Sequence, residues 1–134
     1  MRPERIIVPS EGAWAPIVGY SRAIRTGQFV YVAGTTASLP DGGAVGGDDI
    51  GAQTREALQR IVNALKEVGA GVEHVVRTRM FVTDISRWEE VGRAHGEFFH
   101  DVTPVASMVE VSRLIEPALL VEIEVDAVVG EPTQ

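Results

Sequence analysis

From Val121 to Asp126, in the run Leu119-Leu-Val-Glu-Ile-Glu-Val-Asp-Ala-Val128, apolar and acidic residues alternate without a break. A period of two sends successive side chains to opposite faces of a pleated strand, whereas a helix would scatter them around its axis. Val121, Ile123, Val125 and Ala127 therefore share one face, and Glu122, Glu124 and Asp126 the other. The apolar face needs helices packed over it, which makes the chain an α+β domain with a sheet covered on one side. The acidic face is left over, and a semi-polar contact between copies of the chain is one way to cover it.

The rest of the sequence supplies the partners. Tyr20–Arg25 and Phe29–Ala33 flank Thr26-Gly27-Gln28 and read as a hairpin. Residues 37–49 are rich in glycine and aspartate and read as a connecting loop. From Ile50 to Val68 the spacing turns helical, with Leu58, Ile61, Val62, Leu65 and Val68 in one stripe. Asp48 or Asp49 can cap its start and Gly69 ends it. His74–Thr83 is strand-like, and Ser86-Arg-Trp-Glu89 has the spacing of a capping box opening a second helix to about Phe99. That helix carries Trp88, Val91 and Phe98, with His95 in the same line and Trp88 expected in the core. Val105–Val111 and Leu119–Val128 complete an expected order β-β-α-β-α-β-β, a mixed sheet with two helices on one face. The last few residues look frayed.

Size and charge narrow the function. A chain of 134 residues forms one domain, 1–134, and no stretch approaches the ~20 apolar residues of a membrane span. The opening residues reach only Ile6-Ile7-Val8 before Pro9, too short for a secretory core, and the chain reads as cytoplasmic. There is no cysteine, hence no disulfide and no thiolate chemistry. Net charge is −7, with 12 basic residues spread along the chain, which speaks against a nucleic-acid partner. His74, His95 and His100 lack metal-ligand spacing, so no metal site is expected. The Gly42-Gly43 and Gly46-Gly47 pairs lack any nucleotide-binding pattern, and Asp48 and Asp49 would repel a phosphate.

Three groups of residues invite a chemical reading. Glu122 and Glu124 lie ~7 Å apart on one strand face, as an acid/base pair or as cross-strand partners of Arg77 and Arg79. His95 is a hydrogen-bonded core or interface histidine, or a catalytic one. Ser107, after Pro104-Val105-Ala106, lies in no nucleophile motif and reads as a strand serine.

Taken in order, the segments Gly19-Tyr20-Ser21-Arg22-Ala23, Val30-Tyr31-Val32-Ala33-Gly34, Gln53-Thr54, Val68-Gly69-Ala70, Val75-Val76-Arg77-Thr78, Phe81-Val82-Thr83-Asp84, Pro104, Val109-Glu110-Val111, Arg113-Leu114 and Val121-Glu122-Ile123-Glu124 resemble the Rid/YjgF family, also labelled L-PSP endoribonucleases. The resemblance runs from about residue 17 to 128. It implies a chorismate-mutase-like fold, a homotrimer, and small-molecule pockets at the subunit interfaces. It also implies hydrolysis of reactive enamines and imines, such as 2-aminoacrylate and 2-iminobutanoate, without a metal or organic cofactor.

Residue by residue, the resemblance puts a pocket tyrosine at Tyr20 and the proton-handling glutamate at Glu122, with Ser107 and His95 as further substrate-binding positions. The family's anchoring arginine falls on Ala106, which cannot hold a carboxylate, and an asparagine common in the deaminases falls on Gly92. Substrate anchoring is therefore expected to be non-standard, with Arg22 or Arg79 as the substitute cation. A non-catalytic trimer that binds a small ligand or a protein is the alternative.

Overall fold

The computed structural model describes residues 4–130, and the expected fraying of the last residues falls outside them. Six strands form one sheet in the order β1-β2-β3-β6-β4-β5, where β1 is Ile6–Pro9, β2 Ser21–Thr26, β3 Phe29–Thr35, β4 Val75–Val82, β5 Val105–Glu110 and β6 Val121–Val128. All neighbours are antiparallel except β4 and β5, which are parallel. The helices are α1 (Ala15–Val18), α2 (Ile50–Glu67) and α3 (Trp88–Phe99). The parallel pair follows from the α3 crossover, since parallel strands need a connection of a dozen or more residues.

The alternating segment becomes β6, buried at every second residue and central to the sheet. Its Val121, Ile123 and Val125 are fully buried with Val30 of β3 and with Leu58, Ile61 and Leu65 of α2. Asp49 caps α2 by accepting from the Ala52 amide at 3.0 Å, and Gly69 follows the helix at φ 77°. Gln53, also fully buried on α2, donates to the Gly47 and Ala118 carbonyls at 2.7 and 2.9 Å and accepts from the Leu120 amide at 3.0 Å. One amide thus ties the glycine loop to the approach of β6.

Three expectations change. The sheet gains β1, a short edge strand ending at Pro9, a residue that edges tolerate because it cannot donate to a ladder. The Ser86–Glu89 capping box does not form. Asp84 instead accepts from the Ser86 amide at 3.0 Å and hydroxyl at 2.6 Å, making a single 3-10 turn before α3, and Glu89 pairs with Arg93. Trp88, expected in the core, is 57% exposed because it is the first residue of α3, outside the stripe of Val91, Ala94 and Phe99 that packs inward.

Candidate functional site

The site starts from an irregularity in β3. Its register against β6 runs Val32↔Val125 and then Thr35↔Ile123, so Ala33 and Gly34 together face one residue of β6. This bulge opens the sheet beside the start of β6, where Glu122 projects from the polar face. Gly34 leaves the space that Glu122 fills, since a Cβ there would lie 2.6 Å from Glu122 Oε2. Bulges recur where a strand must re-aim a side chain.

A cleft of about 760 Å³ runs from this point to the segment before β2 and the side of α2. Glu122, Gly34, Tyr20 and Arg22 line it, together with Arg60, Glu67 and Ile115. Tyr20 immediately precedes β2 and Arg22 is its second residue, so the two sit close: Arg22 Cζ is 6.0 Å from the Tyr20 ring centroid. Arg22 donates to Thr35 Oγ1 at 2.7 Å and to the Gly34 carbonyl at 3.4 Å, and Thr35 Oγ1 donates to the Ala33 carbonyl at 2.7 Å. The guanidinium is thereby fixed to the bulge itself.

The two glutamates of β6 have separate environments. Glu124 faces Arg79 across the strands, and Arg79 Nη1 lies 3.4 Å from Glu124 and 3.3 Å from Asp126. Glu122 stands opposite Phe81 instead. Burial pushes its carboxyl above the ordinary range, Glu124 adds to the shift and Arg22 opposes it. Glu124 is a partner in an ion pair. Glu122, half-buried, faces the cleft instead.

The other sequence-derived positions lie elsewhere in the chain. Ala106 and Ser107 are exposed on β5, the far edge strand, in register with Thr78 and Arg79 of β4 and away from the cleft. His95 projects from α3 to the covered side of the sheet, with Nε2 2.9 Å from Oγ1 of the fully buried Thr78 and its ring 4.7 Å from that of Phe99. Burial keeps the imidazole below its usual pKa. The ring is half-buried and hydrogen-bonded, on the face of the sheet opposite the one from which Glu122 projects. Gly34 was not singled out in the sequence, although the Ala33-Gly34 step at the end of an apolar strand run is a common mark of a bulge. Among the described residues no group of three or more His, Asp and Glu side chains is placed to hold a metal ion, and no helix is long and apolar enough to cross a membrane.

A one-layer mixed sheet with helices on one side, and a half-buried glutamate in a cleft at a strand bulge, define a small α+β protein. The chain belongs to the endoribonuclease L-PSP family, also called Rid/YjgF, whose model matches residues 10–129. It is 39% identical to an uncharacterised protein of Streptomyces coelicolor over 92% of this chain and 91% of that one. The crystal structure of Rv2704 from Mycobacterium tuberculosis, a member of the YjgF/YER057c/UK114 family, is similar at TM-score 0.86 and 56% identity, covering 94% of this chain and all (100%) of that one. A Rid-family protein of unknown function from Yersinia pestis, YyfA, matches at TM-score 0.80 and 34% identity over 94% of this chain and 100% of its own.

Proposed function

We propose that this protein is a hydrolase of the enamine/imine deaminase type, acting on a small reactive metabolite without a metal or organic cofactor, as a homotrimer in the cytoplasm. The observation that carries the reading is Glu122: a carboxyl raised above its ordinary range, facing a cleft beside a fixed cation. A carboxyl moved toward neutrality both accepts and returns a proton under physiological conditions. Water adds to the carbon of a C=N bond and passes a proton to the Glu122 carboxylate. The resulting carboxyl protonates the nitrogen. The Glu122 carboxylate then takes the carbinolamine's hydroxyl proton and passes it to the nitrogen, which leaves as ammonia while the C=O bond forms, so one imine and one water give one carbonyl compound and one ammonia. Tyr20 lines the same cleft as a hydroxyl partner for the substrate.

Trimer formation gives Ala106 and Ser107 a place in the site. They stand on an exposed edge strand whose Val105 and Val109 are also exposed, and a neighbouring subunit would bring that strand to the cleft. Ligand sites would then lie at the subunit interfaces. Alanine at position 106 favours a second reading, a trimer that binds a small ligand or protein without turnover.

A coupled assay separates them. Threonine dehydratase generates 2-iminobutanoate in situ, semicarbazide competes for it, and release of the keto acid is followed with wild-type and Glu122→Gln protein. Acceleration that is lost in the variant supports the hydrolase. No acceleration by the wild type, with a three-chain mass in sedimentation, leaves the binding role.

A further inference from the structure

The cleft contains a cation that makes no ion pair with any described residue. Three arginines are relevant to a substrate on this side of the molecule. Arg79 is held by Glu124 and Asp126. Arg60 is held by Glu56 at 2.8 Å and by the Thr36 and Ser38 carbonyls at 2.9 and 3.0 Å. Arg22 is held by Thr35 Oγ1, the Gly34 carbonyl and the Tyr20 side chain, and among the described residues no carboxylate lies within ion-pair distance of it, Glu122 acting on it only from farther off. A half-buried charge is costly unless it is paired, and a guanidinium has five N–H donors, more than these contacts use.

Resting on the hydrolase reading above, we propose that Arg22 is the substrate anchor of this protein, a specificity-determining residue that binds one carboxylate of the ligand from within the same subunit as Glu122. The bulge makes this possible. Thr35 and the Gly34 carbonyl orient the guanidinium before a ligand arrives, and the Tyr20 ring lies beside it. A fixed fork suits a planar carboxylate. The same cleft is lined by Glu11, Glu67 and Glu122, which repel a phosphate dianion more strongly than a monocarboxylate.

The test is titration calorimetry on the assembled protein with 2-oxobutanoate, its neutral analogue 2-oxobutanamide, and inorganic phosphate. Wild type is expected to bind 2-oxobutanoate at least about tenfold more tightly than the amide or phosphate. Arg22→Met should weaken 2-oxobutanoate by about 10- to 100-fold and leave the amide unchanged, the range for a hydrogen bond between charged groups. Arg22→Lys, which keeps the charge but not the fork, should fall between. If Arg22→Met does not fold, the lysine variant decides, and unchanged acid affinity there overturns the proposal. It is equally overturned by equal affinity for acid and amide, by tighter binding of phosphate, by no binding of 2-oxobutanoate, or by a folded Arg22→Met protein with wild-type affinity. The coupled assay runs in parallel. Acid-selective binding that depends on Arg22, without turnover, upholds the anchor and ends the hydrolase reading. Turnover with unchanged KM in Arg22→Met does the reverse.

Discussion

Gly34 and Glu122 share one volume. A Cβ at position 34 would come within 2.6 Å of Glu122 Oε2 and 2.9 Å of its Cδ, and the bulge in β3 brings the two residues this close. The atoms in the way belong to the end of a flexible side chain, so Gly34→Ala moves the carboxyl and leaves the backbone in place. The expected outcome is a folded protein with a melting temperature near that of wild type and a kcat reduced by about 10-fold or more, since small misplacements of a proton-handling group are costly. Thermal melts beside the imine-hydrolysis assay check both halves. A normal rate would mean that Glu122 does not act from the position described.

Glu122→Gln should remove activity and not remove stability. The native carboxyl has a pKa raised from 4.5, so at pH values between 4.5 and the raised value the folded protein holds a proton that the unfolded chain has released. Stability conferred by that proton falls as pH rises through this window and stays lower above it. Glutamine has no charge to desolvate and no repulsion from Glu124. Denaturant titrations should therefore show the variant as stable as wild type, or more so, at neutral pH, with the difference narrowing toward pH 4.5. A variant markedly less stable at pH 7 would mean that the charged carboxylate holds the cleft together.

How much of this was legible in the sequence depended on distance along the chain. The β6 pattern is local, and so the covered and open faces followed from it. The Asp49 cap is three residues from its donor, Ala52. The site is different. Glu122, Arg22 and Gly34 come from three strands that meet through the β3 bulge, and no local period reports a bulge. Two near-equivalent local options also competed before α3. Asp84 captured the Ser86 amide that the capping box needed, and moved the start of the helix to Trp88. Arg22 and Arg79 were equal candidates as sequence, and only the cross-strand register, which sets Glu124 against Arg79, tells them apart.

His95 should give the protein an acid-side loss of stability. Its pKa is lowered by burial from 6.5, so the unfolded chain takes up a proton first as pH falls. The stabilisation is complete above pH 6.5 and is lost as pH falls from there toward the lowered value. Asp84 and Glu97 have lowered carboxyl values and lose their contributions only below the ordinary carboxylate range, a separate window. His95→Leu should abolish the first window and cost about 1–2 kcal/mol at neutral pH, because the Thr78 hydroxyl loses its partner. Adding Thr78→Val should recover part of that cost, giving a coupling energy that a double-mutant cycle measures. Additive effects would show that the bond contributes nothing.

Gln53 offers the sharpest test of the fold that carries the site. It is fully buried, and its one amide group satisfies the Gly47 and Ala118 carbonyls and the Leu120 amide. Gln53→Leu is close in volume and more apolar, so a transfer argument alone makes it stabilising. It leaves three backbone groups without their partner, and each buried orphan costs about 1–3 kcal/mol. The orphans outweigh the gain, and the expected result is a loss of several kcal/mol in denaturant unfolding, a large share of the total for a domain of this size. Gln53→Glu should also destabilise, because a carboxylate accepts from Leu120 but cannot donate to the two carbonyls. Leu119 and Leu120 lead directly into β6, so local loosening should appear first as faster amide exchange at Leu120 and Val121, next to Glu122. A Gln53→Leu protein with wild-type stability would show that the backbone groups find other partners and that the amide is not the tie between the glycine loop and the site strand.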